Sequence, residues 1–187
     1  MNFHRRIVIG VLFQLIDLNI SGIDIIPDFI GYLITGFALS KLKVPYAAMG
    51  MYCAVLLTVS SFVELFLPKT QGMYLYEPVA FPMQVVTIAI GLLHIFYLAC
   101  IFSVSKEIVP TKKNVFPMLF IGMHLLTQLL ISVGIHLNVN EVENYIPIWI
   151  FIYLLFYVFF FGFLWRREYI ELELQQKNKQ PLPSNSL

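Results

Sequence analysis

Four runs of this chain, roughly Ala47 to Leu67, Pro82 to Ser103, Val115 to Leu137 and Ile146 to Trp165, are apolar and nearly free of charge. Each is about 20 residues long, and a helix rises about 1.5 Å per residue, so each matches the roughly 30 Å hydrocarbon core of a bilayer. Few folds besides a membrane-spanning helix accommodate such runs. Ahead of them, Ile7 to Ser40 holds 34 residues interrupted by aspartates, too long for one crossing and short for two. Two shortened helices, roughly Phe3 to Ile20 and Pro27 to Lys41, fit that segment best. With 59% hydrophobic and 12% charged residues and a mean hydropathy of +0.79, the chain lies far from the soluble average of about 45–50% apolar. The expected fold is all-α, an integral membrane bundle of six transmembrane helices over residues 1–166. A cytoplasmic tail at 167–187 is expected to begin as a charged helix and end in a disordered Pro, Ser and Asn stretch.

Charge placement tests this arrangement independently, because cytoplasmic loops collect Lys and Arg. Six crossings put Arg5, Arg6, Lys41, Lys43, Lys106, Lys112, Lys113, Arg166, Arg167, Lys177 and Lys179 on one side, which is every one of the 12 basic residues except Lys69. Merging the first two helices would move most of them outside. Both termini are therefore expected to be cytoplasmic. The start, MNFHRRIVIGVLFQLI, has the charged front of a signal peptide but runs into DLNISG instead of a small-residue cleavage site, and reads as a retained first helix. Ile26-Pro27, Phe81-Pro82 and Ile146-Pro147 each open an inward-running helix, where proline's missing N–H costs nothing. With SKLKVP at Ser40 and SKEIVP at Ser105, they suggest three helical hairpins. The scattered cations give no surface for nucleic acid. Cys53 and Cys100 sit in apolar runs without CxxC spacing, as buried small residues do.

Between Ile16 and Tyr32 the stretch IDLNISGIDIIPDFIGY carries Asp17, Asn19, Asp24 and Asp28 inside a very apolar part of the chain. Removing about six residues for a turn leaves roughly 14 per helix, about 21 Å against a 30 Å core. The turn is thus expected to sink below the outer surface, with its backbone solvated by these polar side chains. Asp28 falls in the first turn of the second helix, where a carboxylate meets free N–H groups and the positive dipole end. Asp17 lies below the interface, where an ionised carboxylate costs up to about 2.5–3.5 kcal/mol and needs a partner. Gly10, Gln14, Asp17 and Ser21 form one small or polar face directed into the bundle.

Further polar positions line the later helices. His124, Gln128, Ser132 and His136 are four apart and share a stripe; Gln84, Thr87, Gly91 and His94 form a similar face; Ser60, Ser61 and Glu64 close the third helix. Depth along the helices places His94 beside His124. The candidate binding residues of this polar seam are Asp17, Asp24, Asp28, Glu64, His94, His124, Gln128 and His136. Three readings stay open: interhelical hydrogen-bond glue, a ligand, ion or proton pathway, and an outer-face metal or hydrolytic site. No HExxH, GxSxG, Walker or zinc-finger spacing occurs, so no catalytic residue, metal or cofactor is assigned. Gly31 with Thr35, Gly36 with Ser40 and Gly50 with Ala54 are small-residue pairs expected to pack the second helix against the third. The last helix has no charged or amide side chain and is expected to face lipid, with Trp149 and Trp165 near the two interfaces.

The segment IDIIPDFIGY, in particular Ile23, Asp24, Ile26, Pro27, Asp28, Phe29, Ile30, Gly31 and Tyr32, resembles a DILPDFIGY-like stretch of uncharacterised small multi-pass membrane proteins of Gram-positive bacteria. The resemblance covers about the first forty residues and implies a bacterial plasma membrane, with no activity attached. The functional expectation is a non-enzymatic accessory or interaction protein in contact with the lipid bilayer and with a membrane partner or a second copy. The alternative is a small transporter or solute-binding protein using the polar seam.

Overall fold

In this computed structural model, residues 2–15, 19–20, 23–24, 28–64, 81–110, 115–134 and 146–179 are described. Among these residues, six helices form along the apolar runs: α1 (Phe3–Leu15), α2 (Asp28–Ser40), α3 (Ala47–Glu64), α4 (Phe81–Ile108), α5 (Phe116–Gly134) and α6 (Ile146–Lys179). Prolines stand in the first turns of α4, α5 and α6, where their missing N–H breaks no helical bond. The all-α expectation is met, with one small addition between α1 and α2. There β1 (Asn19–Ile20) and β2 (Ile23–Asp24) pair antiparallel, Asn19 opposite Asp24 and Ile20 opposite Ile23.

The helices α1 and α2 have 13 residues each, about 20 Å at 1.5 Å per residue. Both are short, as deduced from the sequence, but Asn19 and Ile20, expected to end the first helix, pair in β1 instead. Residues 41–46 turn the chain from α2 into α3 through Tyr46, whose φ of 65° is left-handed. The Tyr46 carbonyl then accepts the Gly50 N–H at 2.9 Å and starts the next helix.

Each helix packs against its neighbours in sequence, and α6 returns against α1 to close the bundle. The core runs through Ile7, Leu39, Leu57, Tyr97, Phe120 and Phe160, all at most 2% exposed. Where α1 crosses α2 the backbones touch: a Cβ on Gly10 would come within 2.8 Å of the Gly31 carbonyl oxygen, and one on Gly31 would strike the Gly10 carbonyl. Gly31 and Thr35 thus serve α1 and not, as expected, α3. The α2–α3 approach is made instead by Gly36 against Ala54 and by Gly50 against Leu39.

The outside of the bundle is apolar. Phe37, Tyr52, Leu129, Phe151, Val158 and Trp165 all show large exposed side chains. Of the described helices, Val85–Ile108 within α4 is long and apolar enough to cross a membrane, while Asp28–Ser40, Ala47–Val63 and Phe116–Leu129 are shorter apolar helices. The expectation that α6 faces away from the bundle holds for one side only. Tyr157, Phe160 and Leu164 are buried, whereas Phe151, Val158 and Trp165 point outward. Beyond Trp165 the helix continues unbroken to Lys179 and carries the charged extension.

Candidate functional site

The expected seam is partly assembled. His94 on α4 and His124 on α5 face each other with ring centroids 6.0 Å apart and planes 25° from parallel. Gln128, one turn beyond His124, lays its amide where a Cβ on Gly91 would stand, so the glycine of α4 makes room for it. Asp28 opens α2 as anticipated. The backbone places Asp24 in β2 and Glu64 at the end of α3. Asp17 and His136 lie outside the described residues.

Residues absent from the expected set complete the layer. The Tyr32 hydroxyl makes a 2.9 Å hydrogen bond with His94 Nδ1. The His124 Nδ1 lies 3.0 Å from the Phe120 carbonyl oxygen. A carbonyl only accepts, so Nδ1 carries the proton and neutral His124 offers the Nε2 lone pair. The Tyr153 and Tyr157 hydroxyls both lie 3.0 Å from that Nε2, and 3.3 Å from each other. One phenol donates to the ring, and the other can donate to the first phenol's oxygen. Were Nε2 protonated, it would donate to those same oxygens, so both charge states keep their partners. Alongside, the Tyr97 hydroxyl donates to Thr35 Oγ1 at 2.5 Å and receives a long 3.4 Å bond from Gln14 Nε2. Thr35 in turn donates back to the Gly31 or Tyr32 carbonyl.

This layer links α1, α2, α4, α5 and α6 at one level, and its partners come from inside the bundle. The sequence shows by spacing only that Tyr153 and Tyr157, four apart, share one face of the apolar part of α6, and not which neighbour that face meets. Among the described residues no three His, Cys, Asp or Glu side chains converge as a metal site. Cys53 and Cys100 are buried and free.

A second polar cluster, not anticipated, lies at one end of the bundle. His4 is fully buried, with Nδ1 2.8 Å from Glu171 Oε2 and Nε2 2.8 Å from Ser105 Oγ. Arg167 donates through Nη1 to the Ser105 carbonyl at 3.4 Å and to the Val109 carbonyl, capping the C-terminal turn of α4. Burial, and then the neighbouring Arg166, hold the Arg167 guanidinium below its ordinary pKa. The Ser–His–Glu order matches a charge-relay triad in its distances. Ser105 Oγ is nevertheless enclosed within a helix–helix contact, with no exposure to a substrate. Its chemistry is that of a clamp joining α1, α4 and α6. Because Arg6 and Lys41 both lie against Phe37, the same end also gathers the tips of α1 and α2. The chain matches no family model, no curated protein and no solved structure.

Proposed function

We propose that this chain is a multi-pass integral membrane protein of the bacterial plasma membrane, its six helices crossing with both termini in the cytoplasm. It acts as a non-enzymatic accessory or interaction protein, held rigid by the tyrosine–histidine layer. The observation that carries this reading is the inverted surface. Large apolar side chains face outward around the bundle, while Arg5, Arg6, Lys41, Lys43, Lys106 and Arg166 collect at the end closed by the His4 clamp. Solvation by lipid accounts for the first feature and the inside preference of cations for the second. The IDIIPDFIGY resemblance supports the bacterial membrane.

Thiol labelling in intact cells tests the topology. A Lys43→Cys variant is expected to resist an impermeant maleimide until the cells are opened, and a Glu141→Cys variant to react at once. The reverse pattern, or release of the protein by alkaline carbonate, sinks the reading. For the accessory role, a stoichiometric membrane partner or second copy is expected to survive mild extraction, and a strictly monomeric, partner-free protein speaks against it.

The stacked His94–His124 pair favours a second reading, passage or binding of a proton or cation within the seam. Proteoliposomes with wild-type protein would then show proton flux above empty vesicles that His124→Phe abolishes. Equal flux in all three leaves the layer as interhelical glue.

A further inference from the structure

We propose that the corner formed by Arg6, Phe37 and Lys41 binds the phosphate headgroup of an anionic phospholipid, with the acyl chain lying along Phe37 and Leu33. The inference rests on the membrane reading above. Lys41 Nζ lies 4.1 Å from the centroid of the Phe37 ring, and the Arg6 guanidinium carbon 6.0 Å from it. A cation from the first turn of α1 and one just past the end of α2 therefore meet at one aromatic ring. Among the described residues neither has a carboxylate partner. Arg5 and Lys43, both exposed, add to the positive field.

The ring under the cations is itself 60% exposed, and Leu33, one turn earlier on α2, is 51% exposed. Leu33, Phe37 and Lys41 are spaced four apart, so the apolar stripe ends directly at the charge. A ligand matching both parts carries an anionic head and a hydrocarbon chain in one molecule. Inorganic phosphate or an acidic peptide would engage the cations alone and make no use of the stripe. Arg6 supplies paired N–H donors for phosphate oxygens and Lys41 a point charge beside them, as juxtamembrane cations do for acidic lipids.

Native mass spectrometry of the detergent-purified full chain, titrated with phosphatidylglycerol or phosphatidylcholine, tests the site. Wild type is expected to retain phosphatidylglycerol preferentially, and Arg6→Gln with Lys41→Gln to weaken it about tenfold or more while leaving phosphatidylcholine unchanged. Lys106→Gln with Arg166→Gln, the same change in net charge elsewhere at this end, is expected to keep wild-type retention, as is the charge-preserving Lys41→Arg. Equal losses in both double variants mean diffuse attraction and overturn the site. So does equal retention of the two lipids by wild type, or displacement of phosphatidylglycerol by millimolar inorganic phosphate. Carbonate extraction of the cell membranes, before detergent is added, reads the membrane assignment separately. A protein that stays in the membrane yet shows no lipid preference removes this inference alone, and one that washes out removes both.

Discussion

Where α1 crosses α2, two glycines let the backbones touch; where α5 and α6 meet α4, rings fill the space between them. Gly10 lies on the Gly31 carbonyl, and Gly36 and Gly50 continue the close approach toward α3 and α4. On the other side Phe120 stacks on Phe160 with centroids 4.7 Å apart, and Phe102 meets both edge-on at 5.7 and 5.4 Å. On the membrane reading proposed above, the difference teaches how association works when the surrounding lipid is as apolar as the core. Burial against lipid gains little, so helices join by contact area and by hydrogen bonds. Small residues achieve contact through backbone atoms, which cannot move aside. Aromatic rings achieve it through side chains, which can repack.

The largest expected effect is therefore at the glycine crossing. Gly31→Val should force α1 and α2 apart and cost more than about 4 kcal/mol, reading out as loss of folded protein after extraction. A variant that survives with its melting temperature little changed would mean that the two backbones do not touch. Phe160→Ala comes next. In water such a truncation costs about 3–5 kcal/mol, but the transfer part of that cost shrinks in a bilayer. About 2 kcal/mol is expected, from lost ring contacts. If Phe160→Ala exceeded Gly31→Val in steric-trap unfolding, the contrast between the two halves would be reversed.

Much of this was legible in the sequence because it depends on length and charge. The shortness of α1 and α2 follows from counting residues between Arg6 and Lys41. The meeting of His94 with His124 follows from equal depth along two helices. What stayed hidden depends on rotation about a helix axis. The apolar face of α6 carries no periodicity to orient it, so Tyr153 and Tyr157 could not be aimed at His124. The clamp needs three helix ends to converge, and His4, Arg167 and Glu171 read in sequence only as charges near a boundary. The β1–β2 pair was readable and missed: Ser21-Gly22 between Ile20 and Ile23 is a two-residue hairpin signal. Of the seam's acidic side, Asp17 lies outside the described residues.

The polar links sharpen the comparison at smaller scale. Glu171→Ala removes the acceptor of a buried histidine and should cost about 1–3 kcal/mol. Hydrogen exchange should localise the loss to α6 beyond Trp165, with residues of the central layer as protected as before; uniform deprotection would show that the clamp and the core form one unit. His124→Phe preserves the ring while deleting both nitrogens, and should cost about 1 kcal/mol, typical of interhelical hydrogen bonds in membranes. Combined with Tyr153→Phe and Tyr157→Phe, the losses should be less than additive, since each removes the same bonds.

The smallest effect is expected where both kinds of packing stop. Gly122 and Gly162 lie on the aromatic side, yet a Cβ on either would meet nothing within 4 Å. Alanine there adds no clash and gives the helix a better former, by up to about 1 kcal/mol in the soluble scale. A change within about 0.5 kcal/mol of wild type, or slightly stabilising, is expected for Gly122→Ala and Gly162→Ala. A marked loss at either position would show that another surface closes on that glycine as tightly as Gly31 closes on Gly10. For a chain proposed to work by association, such a result would locate the contact, because only a close-packed partner distinguishes a missing methyl from an added one.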